Sequence, residues 1–335
     1  MKIVVRIPNW IGDVLFALPA LESLKAAHPE AEIWLAAGAW VKDLFAGGEY
    51  ADRIIPLPPL HRWKDLRAAA KALEARRFEI GLLLTNSFSS ALLFAAAHIP
   101  ERWGYRRDGR GVFLTKSVAR KSEDPPSHMV YYYLRLLKGL GLPTLPPEIK
   151  LSLPPEGQER ARKTLAGLGA DLKRPVVILN PGAAFGPAKR WPASRFAELG
   201  LLLQERKGVV LAVTGGPEDS AAAEEIAAFL PEKPLNLVGK TTLGELLGIT
   251  SRAAVFITND TGPMHMANAL RVPVVGLFGP TDPRATAPFH APATVIKKDD
   301  IPCWPCSNRE CPFDHRCLLR ISAAEVFEAA AAYLP

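Results

Sequence analysis

Asn180-Pro181-Gly182-Ala183-Ala184-Phe185-Gly186-Pro187-Ala188-Lys189-Arg190-Trp191-Pro192 is a loop set between two regular elements. Before it, Val176–Asn180 is a short apolar run suited to a buried strand; after it, Ala193–Arg206 carries apolar residues at helical spacing. A strand that turns through glycine and proline into a helix is the repeating unit of a doubly wound α/β fold. Small residues in the turn let backbone N–H groups approach an anion, and Lys189 adds a full charge just before the helix. The plainer alternative is a loop with surface cations.

The alternation extends outward in both directions. Val209–Thr214, Leu235–Val238, Ala254–Thr258 and Val272–Phe278 read as strands, separated by helices over Ser220–Phe229, Leu243–Ile249 and Met264–Leu270. Towards the N-terminus, Ile3–Ile7, Glu32–Ala36, Arg53–Leu57 and Ile80–Leu84 read as strands, and Val14–Ala27, Trp63–Arg77 and Val130–Leu140 as helices. Leu142–Pro155 holds five prolines and reads as a linker, with a helix following to about Leu168. The pattern predicts α/β architecture, with two Rossmann-like doubly wound domains facing across a cleft. Residues 1–155 form the first and 156–320 the second. Residues 321–335 hold a last helix, Ala323–Tyr333, expected to pack back on the first domain. Ligands of such sheets bind outside the carboxyl ends of the strands.

Composition agrees with two soluble domains: of 335 residues, 48% are hydrophobic and 22% charged. The net charge of +7 is uneven, because residues 1–150 hold 21 Lys/Arg against 15 Asp/Glu and residues 151–335 hold 20 against 19. Glu101–Lys121 alone carries seven basic and two acidic residues. A basic half favours an anionic partner, although solubility alone is the bland explanation. Gly81–Ile99 has no charged residue over 19 positions, a length that could span a membrane. Thr85, Asn86, Ser87, Ser89 and Ser90 interrupt it, so a strand, a polar turn and a short helix over Ser89–Ala97 explain it better. No export signal is apparent. A soluble cytoplasmic chain able to touch a membrane surface is expected.

Familiar nucleotide and hydrolase signatures are missing. No G-x-G-x-x-G follows the first strand, and Gly239-Lys240-Thr241 lacks the upstream glycine of a P-loop, having Pro234 there. H-E-x-x-H and G-x-S-x-G do not occur. Other strand-to-helix junctions take their place. Pro8-Asn9-Trp10-Ile11-Gly12-Asp13 sets a carboxylate at a helix start, where a capping role is the ordinary explanation. Thr258-Asn259-Asp260-Thr261-Gly262-Pro263-Met264-His265 opens a helix with N–H groups suited to a diphosphate; His265 could donate to a phosphate or ribose oxygen, or be structural. Gly215-Gly216-Pro217-Glu218-Asp219 sets carboxylates where a ribose would lie, or where a helix needs a cap. Gly279-Pro280-Thr281-Asp282-Pro283 is a further strand-end turn.

All four cysteines fall in Cys303-x2-Cys306-x4-Cys311-x5-Cys317. Such clustering suits a metal or paired disulfides, and a reducing cytoplasm favours a structural Zn²⁺, with His315 a substitute ligand. Four unligated thiols are the alternative.

Taken in order, Pro8–Asp13, the Pro181–Pro192 loop, Thr258–His265, Gly279-Pro280-Thr281 and the cysteine cluster resemble the heptosyltransferases of glycosyltransferase family 9. The resemblance covers nearly the whole chain and is weakest over residues 45–125. It implies a GT-B fold with the ADP-sugar on the second domain and the acceptor on the first. It further implies inverting transfer of L-glycero-D-manno-heptose from ADP-heptose to the heptose-Kdo2-lipid A inner core, with no cofactor required for catalysis. Asp13 would be the base and Lys189 would neutralise charge on the departing ADP. Gly182, Lys189, Glu218, Asp260, Thr261, Gly262 and His265 would hold the donor. Where some relatives carry hydroxyl side chains in the Pro181–Pro192 loop, Ala183 and Ala184 leave only backbone donors. Asn9, Trp10, Arg102, Arg106, Arg107 and Arg110 would meet a phosphorylated acceptor, with Lys116 a further candidate. A helix N-terminus should lower the pKa of Asp13 and weaken it as a base.

Other functions stay open at this point: addition of the first heptose to Kdo2-lipid A, a GT-B-like nucleotide-sugar epimerase, or a binding module. No nucleic-acid partner is expected, since basic and aromatic residues are not interleaved as in RNA-binding surfaces.

Overall fold

The computed structural model describes residues 1–47, 50–119 and 127–335. Arg120 and Lys121 of the basic stretch lie outside the described residues. The chain divides into two compact units, Met1–Ile149 and Lys150–Pro335, so the boundary falls a few residues before the one expected. The proline-rich stretch is attached to its neighbours: Leu145 N–H donates to Ser23 Oγ (3.0 Å) in the first unit, and Leu151 N–H to the Ala269 carbonyl (3.0 Å) in the second.

The first unit is a six-stranded parallel sheet of β1 (Lys2–Arg6), β2 (Glu32–Ala37), β3 (Arg53–Pro56), β4 (Ile80–Leu83), β5 (Glu101–Arg106) and β6 (Lys116–Ala119), in the order β3-β2-β1-β4-β5-β6. The second contains β7 (Val176–Asn180), β8 (Val210–Val213), β9 (Leu235–Asn236), β10 (Val255–Asn259), β11 (Val274–Phe278) and β12 (Ala293–Lys297), also parallel, in the order β12-β11-β10-β7-β8-β9. Counted from its own first strand, each sheet has the 3-2-1-4-5-6 order of a dinucleotide-binding fold. The order reverses between β1 and β4 in one sheet and between β7 and β10 in the other. Neighbouring connections leave those switch points on opposite faces, which opens a crevice there. Strands β4, β7, β10 and β11 are buried along their whole length, as a sheet covered on both faces requires.

Sequence periodicity missed β5, β6 and β12. Their runs, Glu-Arg-Trp-Gly-Tyr-Arg, Lys-Ser-Val-Ala and Ala-Thr-Val-Ile-Lys, carry charge or partial exposure because they lie at or near a sheet edge. The single helix expected over Val14–Ala27 is two, Ile11–Phe16 and Leu18–Ala27, with Pro19 opening the second. The charge-free run is β4, a turn and the helix Phe88–Ala96, whose N-cap Ser87 accepts from Ser90 N–H. No helix among the described residues is long and apolar enough to cross a membrane.

The expectation for the C-terminal helix is overturned. Ala323–Ala331 packs on helix Ala193–Lys207 of the second unit, and Val326, Phe327, Ala330 and Leu334 are buried in that unit's core. Tyr333 shares a 2.8 Å hydroxyl–hydroxyl bond with Thr294 on β12. Its apolar face is consumed by the sheet it belongs to.

Candidate active site

In the first unit, the turn after β1 and the turn after β4 enclose a cavity of about 360 Å³ at the switch point. Pro8, Asn9, Trp10 and Asp13 line one side, Leu84, Thr85, Asn86 and Ser87 another, and Arg107, Met129, Tyr132 and Tyr133 complete it. Trp10, not Asp13, occupies the N-cap of helix Ile11–Phe16, so Asp13 lies inside the first turn without a capping duty. Burial pushes the Asp13 carboxyl above its usual 3.8, the opposite of the direction expected from a helix N-terminus. The buried phenol of Tyr133 is held well above its usual range by burial first and by the Asp13 charge second.

Several arginines divide by burial. Arg6, at the end of β1, is 7% exposed and donates to the Ile7 carbonyl (2.6 Å), the Ala36 carbonyl (3.2 Å) and Asn9 Oδ1 (2.7 Å). Burial lowers its pKa to about 10, which still leaves it charged at neutral pH. It fixes the exposed Asn9 at the cavity mouth. Arg110, expected to face the acceptor, is fully buried: it donates to the carbonyls of Tyr105 (2.9 Å) and Thr85 and reaches Asn86 Oδ1 (3.4 Å). Arg102 is likewise occupied with the carbonyls of Phe113 (2.5 Å) and Ile99 (2.6 Å). Both hold loop backbone, where carbonyls gather at strand ends and need donors. Arg106 and Arg107 remain exposed and line a second cavity of about 480 Å³ with Gly109, Gly111, Val112 and Ser117. Lys116 is exposed, with its ammonium 5.2 Å from the Trp103 ring centroid.

Sequence reading passed over Arg6, Asn86, Tyr132 and Tyr133. A signal for Asn86 existed: Thr85-Asn86-Ser87 follows the fourth strand, and the strand order sets that turn beside the one after β1. The tyrosines come from helix Met129–Gly139, where they read as ordinary amphipathic spacing.

In the second unit, the residues after β7 and β10 meet at the other switch point. Lys189 and Asp260 form a buried ion pair, and Asp260 Oδ2 also accepts from Thr281 Oγ1 (2.6 Å). Asn259 ties the donor loop together: its amide donates to the Pro181 carbonyl (2.8 Å), and its carbonyl oxygen accepts from Trp191 N–H (3.0 Å). Trp191 is buried and donates to the Ile321 carbonyl (3.0 Å). Thr261 and Gly262 open helix Gly262–Ala269 with no side-chain cap, and Pro263 has no N–H to offer. Two half-buried backbone donors therefore point out of a positive helix end beside Lys189's partner. His265 is buried one turn in.

Glu218 and Asp219 take different roles. Glu218 is solvent-exposed at the end of β8, whereas Asp219 is buried, accepts from Gly216 N–H (3.0 Å) and pairs with Arg190 (3.3 Å). Burial raises the Asp219 pKa, against the pull of the Gly216 hydrogen bond and the Arg190 charge. A Cβ added to Gly182 would stand 2.1 Å from Asp219 Oδ2, so this close approach requires glycine.

Cys303, Cys306, Cys311 and Cys317 are all reduced and partly exposed. Among the described residues no group of three or more His, Cys, Asp or Glu side chains stands at the spacing of a formed metal site, although Cys311, Cys306 and Cys303 lie near enough to add to burial in raising the Cys317 pKa.

Two Rossmann-ordered units, one with a buried cation at an anion-ready helix end and the other with Asp13 as the one carboxylate lining its cavity among the described residues, match the class of glycosyltransferases of GT-B architecture. The sequence model of Glycosyltransferase family 9 (heptosyltransferase) matches residues 66–316, and the chain belongs to this family. It is 34% identical over 313 residues to Lipopolysaccharide heptosyltransferase 2 of Salmonella typhimurium, covering 89% of this chain and 88% of that one. It is 31% identical over 310 residues to Lipooligosaccharide heptosyltransferase 2 of Haemophilus influenzae, with coverage of 89% and 88%. The solved structure of E. coli ADP-heptose lps heptosyltransferase II superposes with a TM-score of 0.87 at 30% identity, covering 99% of this chain and 98% of that one.

Proposed function

We propose that the protein is an inverting heptosyltransferase that moves L-glycero-D-manno-heptose from ADP-heptose to the heptose-Kdo2-lipid A inner core. Supporting this are the heptosyltransferase 2 relatives and, above all, one observation: Lys189 and the uncapped N–H groups of Thr261 and Gly262 gather at the second unit's switch point. A diphosphate is the group that such an arrangement suits. In the first unit, Asp13 would take the proton of the attacking acceptor hydroxyl. That oxygen bonds to the anomeric carbon from the face opposite the diphosphate as the anomeric C–O bond breaks, and its electron pair leaves with ADP. Lys189 balances the charge growing on that leaving group. Glu218, exposed at the β8 end, is available to ribose hydroxyls. His265 lies buried one turn into the helix that presents the donors. No step requires a metal. Arg106, Arg107, Asn9 and Trp10 would meet the anionic acceptor, and a peripheral position at a membrane surface would follow from the acceptor's lipid.

The test is product mass analysis. ADP-heptose plus a heptose-Kdo2-lipid A acceptor should yield ADP and an acceptor heavier by one heptose. Transfer to Kdo2-lipid A alone would instead assign the first heptose, and sugar-nucleotide turnover without acceptor would make the protein an epimerase.

A further inference from the structure

The segment that carries the four cysteines has a place in the fold that its thiols do not explain. Between Cys306 and Cys311 it lies against the Lys189 loop. Ser307 N–H donates to the Pro280 carbonyl (2.9 Å), which anchors the segment to the turn after β11. Arg309 then grips the loop from main chain and side chain together. Its carbonyl accepts from Ala188 N–H (3.1 Å), and its Nε donates to the Phe185 carbonyl (2.8 Å). The approach is close enough to dictate a residue: a Cβ on Gly186 would stand 2.4 Å from the Arg309 carbonyl oxygen.

The Phe185 ring adds a second connection. The Arg309 guanidinium carbon lies 5.4 Å from its centroid and the Lys189 ammonium 4.9 Å from it. One aromatic ring thus serves two cations, each attracted to its π density. Lys189 is held from two directions, by the Asp260 carboxylate and by a ring that Arg309 fixes. A lysine stem has four rotatable bonds, and its ammonium would otherwise fold against Asp260 alone.

We infer that the cysteine-bearing segment is a clasp on the Lys189 loop and that Arg309 is a positioning residue, setting the Lys189 ammonium through Phe185. Loss of the clasp weakens binding of the nucleoside diphosphate without touching the base. The inference rests on the reading of the Lys189 loop as the diphosphate site.

The full-length chain is titrated with ADP by calorimetry as wild type, Arg309→Ala, Arg309→Lys and Lys189→Ala, and the donor and acceptor KM values are measured alongside. Arg309→Ala should raise the ADP Kd and the donor KM about tenfold, leaving the acceptor KM and the melting temperature unchanged. Arg309→Lys keeps a cation over the ring but loses the Nε bond, so it should recover part of the affinity. An Arg309→Ala protein that binds ADP within twofold of wild type, while Lys189→Ala has lost binding, overturns the clasp alone. Wild-type ADP binding by Lys189→Ala overturns the diphosphate site and the clasp with it.

Discussion

The two switch points share a strand order and differ in how their charges are kept. At the second, the buried charges have partners: Lys189 on Asp260 and Phe185, Asp260 on Thr281, Asp219 on Arg190 and Gly216. At the first, the Asp13 carboxylate stands at the edge of a cavity with no capping bond, and burial raises its pKa. The difference follows from the work each would do. Holding an anion calls for fixed, preorganised donors that do not reorganise when charge develops. Taking a proton calls for an acid whose ionised form is not already stabilised by neighbours, because each such neighbour lowers its basicity.

The largest expected effect breaks this contrast from both sides. Asp13→Asn should cut kcat by about a thousandfold, with ADP affinity and stability near wild type. Lys189→Met should instead lower stability by about 3 kcal/mol as well as activity, because it strands the buried Asp260 charge. Steady-state turnover and urea unfolding of both variants check the pair. Equal loss of stability would show that Asp13 is as heavily partnered as Lys189.

Arginines of the basic stretch give a smaller effect. Arg110→Ala should destabilise the first unit by about 3 kcal/mol, since the Tyr105 and Thr85 carbonyls lose a buried donor. Arg107→Ala should change stability by less than about 0.5 kcal/mol and raise the acceptor KM several-fold. Denaturation midpoints and acceptor kinetics separate the two roles.

The smallest effect is in the pH profile. A raised Asp13 pKa means that the carboxylate takes up its proton at a higher pH than an ordinary aspartate would. The base form is lost earlier on acidification, so the acid limb of kcat/KM should lie above pH 3.8. In stability the sign is opposite: the contribution is fully present below the ordinary value of 3.8 and is lost as pH rises through the higher folded pKa. A profile for the chemical step whose acid limb lies at or below 3.8 would remove Asp13 as a buried base.

Much of this was legible in the chain. Buried strands such as Val176–Asn180 and Ile80–Leu83 are apolar along their length because both sheet faces are covered, and the turns that follow them announce themselves with glycine, proline and asparagine. That alone located Asp13, Lys189 and Thr261 at strand ends. It could not locate β5, β6 or β12, whose charged and half-exposed residues mimic loops.

Tertiary structure decided the rest. Arg110 and Arg107 are the same residue type three positions apart, and one is buried among carbonyls while the other faces solvent. Glu218 and Asp219 are neighbours and both carboxylates lie against glycines of the turns, yet only Asp219 is buried. Local pattern assigns a residue to an element and an end of the sheet, because hydrophobic period and turn chemistry act over a few residues. Which charge is satisfied, and which is left for chemistry, depends on donors and acceptors delivered by distant strands, and only their packing supplies that.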